Sequence, residues 1–159
     1  MAAGLGARFK EMNSHNRARF PALVAAALVL AGCSAEPKAI SFGRDECAEC
    51  KMTLVDRHYG AELITSKGKV FIFDDVNCLL VFQKRGDSKK PPRAVIVDFT
   101  RQGEFIPAEQ AYFLKHDGLN SPMGADLAAF SSIAELESIR SQLGGGGSIL
   151  RWSEVGQIP

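Results

Sequence analysis

Six residues, Cys47-Ala48-Glu49-Cys50-Lys51-Met52, carry two thiols and a thioether. A thiolate combined with thioethers is a soft donor set. It suits Cu(I) far better than Mg²⁺, Ca²⁺ or Mn²⁺, and a thioether is rarely a zinc ligand. Cys50 and Met52 flank a single residue, so on extended backbone both side chains point to one side. Cys47 lies three residues upstream and approaches only if the chain bends. A further thioether, Met123, lies in Ser121-Pro122-Met123-Gly124, where proline and glycine hold a loop and do not extend a strand. A methionine there has less reason to be core than one on an apolar face, and loops carry function.

Other chemistries compete for the same residues. A CxxC pair could be a thiol–disulfide redox motif. Proteins of that kind place the pair at the head of a helix that lowers the thiol pKa, and Lys51 to Gly60 shows no convincing amphipathic helix. Zinc held by Cys47, Cys50, His58 and Cys78 would need four well-placed ligands. Cys78 falls in Asn77-Cys78-Leu79-Leu80-Val81 on a capped helix and reads as core. A structural Cys47–Cys50 disulfide would close too small a loop to contribute much. His58 and His116 are lone loop histidines with the look of solvated surface, and Asp74-Asp75 reads most simply as a helix cap. Nothing places a catalytic carboxylate pair, a Ser/His/Asp arrangement or a nucleotide motif, and the four glycines at 144–147 lack the GK[ST] of a phosphate loop. The reading is of a binding protein, not an enzyme.

The compartment follows from the first 33 residues. Arg17 and Arg19 precede an apolar run from Phe20 to Leu30, shorter than the roughly 20 residues of a membrane-spanning helix. Leu30-Ala31-Gly32-Cys33 then has the form of a bacterial lipobox. Residues 1–32 are expected to be a lipoprotein signal peptide, with Cys33 lipidated as the new N-terminus. Cys47, Cys50 and Cys78 remain, an odd number of thiols in an oxidising, extracytoplasmic place. A bound Cu(I) would protect a thiolate from oxidation there. The signal segment carries four cations and one anion, so the remainder of a chain whose total is +1 is net −2. That argues against a nucleic-acid partner and leaves the lipid as the attachment to the membrane.

Residues 33–44 read as a tether. The elements that must position the sulfurs then occur twice. Gly60–Thr65 and Lys69–Phe73 form a hairpin pattern, Asp74-Asp75 caps a helix ending near Gly86, and Ala94–Phe99 is a buried strand. The same order returns in 111–115, 125–130, a helix over 133–143 capped by Ser131-Ser132, and a strand at 149–153. Phe73-Asp-Asp-Val76 and Phe130-Ser-Ser-Ile133 align at a constant offset, as do Leu79 and Leu136. The expected fold class is α+β, with tandem ββαβ units over 45–100 and 101–159 packed into one body, since neither would be stable alone. Two features are not shared by the repeats: the Cys47–Met52 prefix of the first unit, and the long connection from His116 to Gly124 in the second, which holds Met123.

Taken together these residues resemble the NosL lipoproteins, accessory copper-binding proteins of nitrous oxide reductase maturation in denitrifying bacteria. The resemblance rests on Leu30-Ala-Gly-Cys33, Glu46-Cys-Ala-Glu-Cys-Lys-Met52, Phe71-Ile-Phe-Asp-Asp75, Ser121-Pro-Met-Gly124 and Leu127-Ala-Ala-Phe130. It implies a two-unit ββαβ fold and Cu(I) as the ligand. The implied partners are the periplasmic reductase, to which copper is delivered, and an ABC-type assembly complex. By position it implies Cys50, Met52 and Met123 as soft ligands, with Cys47 as an additional or exchange thiol. The family often has Cys-Gly-Met where this chain has Cys50-Lys51-Met52. A lipoprotein that only buffers copper, or only anchors the assembly, is the alternative expectation.

Overall fold

The computed structural model describes residues 36–86 and 92–157. The expected signal segment, and Cys33 as the expected site of lipidation, lie outside the described residues. The first hairpin is β1 (Ala61–Ile64) and β2 (Val70–Phe73), followed by helix α1 (Val76–Arg85) and strand β3 (Arg93–Val97). Both β2 and β3 pair antiparallel with β1, and β4 (Phe105–Pro107) adds outside β3, giving the order β2-β1-β3-β4. The second unit repeats the scheme with β5 (Tyr112–Lys115), β6 (Leu127–Phe130), α2 (Ile133–Gln142) and β7 (Ser148–Leu150), in the order β6-β5-β7. A short helix α3 (Trp152–Val155) follows. The architecture is α+β with two antiparallel sheets. Two differences from the sequence reading stand out. Residues 105–107, expected with the second unit, complete the first sheet, where they cover the otherwise open edge of β3. Trp152 begins a helical turn and does not extend the last strand.

The helices start where the caps dictate. Asp75 accepts the N–H of Cys78, and Ser132 accepts that of Ala134. Basic residues Lys84 and Arg85 in the last turn of α1 suit the negative end of the helix dipole.

Alternation along the strands joins the units into one body. Ala61, Leu63, Phe73, Ala94 and Ile96 of the first sheet share a core with Val76, Cys78 and Leu79 of α1 and with Phe113, Leu127 and Ala129 of the second sheet. The intervening residues of the second sheet, Leu114, Ala128 and Phe130, face the other way and pack with Leu136 of α2. Asp98 stitches the sheets together. Its carboxylate accepts the Ser131 N–H at 3.1 Å, and the next residue, Phe99, donates its N–H to the Ala129 carbonyl at 2.9 Å.

The repeats differ where the sequence says they should. Residues 65–69 join β1 to β2, whereas 116–126 join β5 to β6 and include a 3-10 turn at Asp117–Leu119. Among the described residues no helix is long and apolar enough to cross a membrane.

Candidate metal centre

The segment around the cysteines is a tight knuckle. Glu46 and Thr53 pair as an antiparallel bridge, the Cys47 N–H donates to the Met52 carbonyl at 2.8 Å, and the Lys51 N–H donates to the Cys47 carbonyl at 3.1 Å. The Ala48 N–H donates to the Ile72 carbonyl at 2.7 Å and docks the knuckle on the outer edge of β2. A second clamp reaches α1, where Glu49 pairs with Arg85 at 2.7 Å. Arg85 lies seven residues after Cys78, two turns along the same face of the helix. The knuckle therefore lies along the helix that carries the third thiol.

The result is a cluster of sulfurs. The Sγ atoms of Cys47, Cys50 and Cys78 all lie within 4.8 Å of one another. Cys47 is 0% and Cys78 3% exposed, while Cys50 is half-buried and forms the solvent side of the trio.

The proton is shared unequally. The Cys78 thiol donates toward Cys47 and holds the Cys47 pKa well below its ordinary value, opposed by burial and helped by the backbone amides of Cys50, Asp74 and Glu49. The same hydrogen bond, with burial, pushes Cys78 up. Burial also raises Cys50, against the Met52 amide that favours its thiolate. Asp74 is pushed up to about 6 by burial and by the charges of Asp75 and Cys47. The pocket is thus short of positive charge, a condition that a bound cation relieves.

A profile of the NosL family matches residues 39–158, which is 120 of the 159 residues. The chain belongs to the NosL family. Its fold is also similar to that in the crystal structure of the copper chaperone NosL from Shewanella denitrificans. The TM-score is 0.62 at 22% sequence identity, covering 76% of this chain and 96% of that one. No curated protein matches.

Within this NosL chain the sequence-derived site residues are placed unequally. Cys47 and Cys50 are together. The bend that Cys47 needs is supplied by the knuckle. Cys78 is core, as read, but it is also the third sulfur of the cluster, a role the sequence reading weighed only for zinc and set aside. The available signal was Asp75: a cap at that position puts residue 78 in the first helical turn, facing the knuckle. Met52 does not share a side with Cys50 by strand alternation, because Lys51 between them has φ +66° and breaks the extended backbone. Met52 is instead 56% exposed, as is Val55 at 73%. Met123 is half-buried against the core that contains the cysteines, and its N–H donates to Asp75 Oδ2 at 3.1 Å.

Among the described residues the two histidines stand apart from the trio. His58 bonds to Asp56 at 2.9 Å and to Gln102 at 2.8 Å and packs on Phe99, whereas His116 bonds to the Gly145 carbonyl at 2.9 Å. The zinc arrangement considered for Cys47, Cys50, His58 and Cys78 therefore assembles only its three thiols.

Lys51, at φ +66°, occupies the left-handed region that favours glycine. That region costs an ordinary L-residue roughly 1–2 kcal/mol, partly offset by the greater chain entropy that glycine loses on folding. Lys51→Gly is accordingly expected to stabilise the reduced metal-free protein by about 0.5–1 kcal/mol. Urea denaturation under reducing conditions checks it. An unchanged or lower midpoint would mean that the Lys51 Nζ bond to the Ala48 carbonyl, 2.8 Å long, outweighs the backbone cost.

Proposed function

We propose that this protein is a Cu(I) chaperone of the bacterial cell envelope. In this reading it is anchored by lipid at Cys33 on the periplasmic side and delivers copper to nitrous oxide reductase with its ABC-type assembly complex. The observation that carries the reading is the convergence of three cysteine sulfurs, two buried and one toward solvent, together with an exposed methionine. Cys47, Cys50 and Cys78 hold Cu(I) as thiolates, with Cys47 and Cys78 shielded from bulk water and Cys50 toward solvent. Met52 and Met123 are weaker, neutral donors suited to exchange. An acceptor ligand approaching from the Cys50 side meets Met52 first, and copper leaves by replacement of one sulfur at a time.

The expected stoichiometry is one Cu(I) per monomer, bound more tightly than Zn²⁺ in an anaerobic titration against a competing chelator. Equal or tighter zinc binding would overturn the copper assignment, and oxidation to a disulfide without copper uptake would favour a redox protein. Delivery is tested separately by the copper content of nitrous oxide reductase from cells lacking this protein. A fully loaded reductase there would leave a buffering or anchoring role.

A further inference from the structure

The carboxylate of Asp75 is 1% exposed and grips two parts of the fold at once. Oδ1 accepts the Cys78 N–H at 3.0 Å, and Oδ2 accepts the Met123 N–H at 3.1 Å, across 48 residues of chain. The Ser121 hydroxyl is near enough to the carboxylate to favour its charged form. The loop is also held by itself and by its neighbours: the Gly124 N–H donates to the Ser121 carbonyl and the Asp126 N–H to the Ser121 hydroxyl, each at 2.9 Å, while the Tyr59 hydroxyl bonds to the Leu119 carbonyl and Lys115 Nζ donates to the Ala125 carbonyl at 3.1 Å. Asp75 adds the hydrogen-bonded link between Met123 and the start of α1.

Capping a helix requires only one oxygen. The second unit makes the point internally. Ser132, which occupies the corresponding place, has a single side-chain oxygen, and that oxygen caps α2 through Ala134. The second arm of Asp75 is therefore surplus to the helix, and it goes to the one loop that the first repeat lacks. It ties the backbone of a thioether residue to the backbone of a cysteine of the trio.

We propose that Asp75 is a positioning residue that fixes the Met123 thioether against the Cys47/Cys50/Cys78 cluster, so that Met123 is presented to the metal as an exchange donor. The inference rests on the reading of the protein as a Cu(I) carrier. Asp75 touches no copper in this scheme. It sets where Met123 is.

The test is a double-mutant cycle on the full chain, with Cu(I) release to a chromophoric chelator as the readout and apo melting temperature as the control. Asp75→Asn keeps an oxygen for Cys78, because asparagine caps helices as well as aspartate, but turns an amide against the Met123 N–H. Asp75→Asn and Met123→Ala are each expected to change the release rate by about tenfold, in the range of lost supporting interactions at metal sites, and the double variant by no more than either single one. Ser121→Ala leaves the cap intact and is expected to act in the same direction with a smaller effect, so the proposal stays testable if Asp75→Asn folds poorly. Multiplying effects in the double variant, or a Met123→Ala variant that releases copper as wild type does, would overturn the role of Asp75. A wild-type protein that fails to bind Cu(I) would remove the carrier reading itself, and this inference with it.

Discussion

Cys78→Ser is expected to weaken Cu(I) binding by more than about 100-fold, as much as Cys50→Ser does. Loss of a supporting contact at a metal site costs about 10–100-fold, and an anionic ligand should cost more. The reason is geometric. Cys78 is one of three sulfurs within 4.8 Å of one another, and its thiol is the main partner that lowers the Cys47 pKa. Serine fits the space but is a hard, poor donor for Cu(I). Competition with a Cu(I)-specific chelator under anaerobic conditions measures the change, and the melting temperature of the apo variant separates it from misfolding. A Cys78→Ser protein that binds copper as wild type does, while Met52→Ala and Met123→Ala do not, would return the site to one thiolate and two thioethers.

The second large effect concerns pH and lies away from the sulfurs. Glu62 is on the face of β1 opposite Ala61 and Leu63, with 0% exposure. One carboxylate oxygen accepts the Lys38 N–H at 3.0 Å, and the other, Oε1, has no hydrogen-bond partner. Burial raises its pKa from 4.5 to about 7, against the pull of Lys38. An acid whose pKa is raised by folding binds its proton more tightly in the native than in the unfolded state. Stability is therefore lost as pH rises from about 4.5 through about 7, and the full loss persists above that. Glu62→Gln carries no charge in either state. It should match wild type near pH 4 and exceed it at pH 8 by at most about 3 kcal/mol, the worth of such a shift at 1.36 kcal/mol per pH unit. Urea denaturation across that range checks it. Parallel stability profiles for the two proteins would show that Glu62 is not a buried carboxyl held against its charge.

How legible these features were in the sequence differs by element. The helices were readable because Asp75 and Ser132 are strong caps in front of periodic apolar residues. The repeat was readable because Phe73-Asp-Asp and Phe130-Ser-Ser fall in the same place in each unit. Strand β4 was not, since Phe105-Ile106-Pro107 is short, contains proline and takes its identity from the edge of β3. In the metal centre, the residue types pointed to soft-metal chemistry, but the grouping did not follow from spacing. Alternation put Cys50 with Met52 only on the assumption of extended backbone, and the left-handed Lys51 removes that assumption. Cys78 joins from 28 residues away through tertiary packing, which no local period reports. Its place in the apolar core and its place among the sulfurs are the same position.

One bond of the knuckle has a bearing on solubility. Strand β2 is an outer strand of its sheet, and outer strands expose unpaired backbone groups on which another chain can add. The Ala48 N–H is spent on Ile72 in the middle of that strand. The loop that gathers the sulfurs thus also blocks the sheet from growing, and its residues Cys47 and Cys50 are the ones a metal would fasten. Any state of the protein in which the knuckle lets go uncovers a sticky edge between Val70 and Phe73. A metal that fastens the knuckle would thereby also help to keep the Ala48 N–H on Ile72 and the strand edge covered.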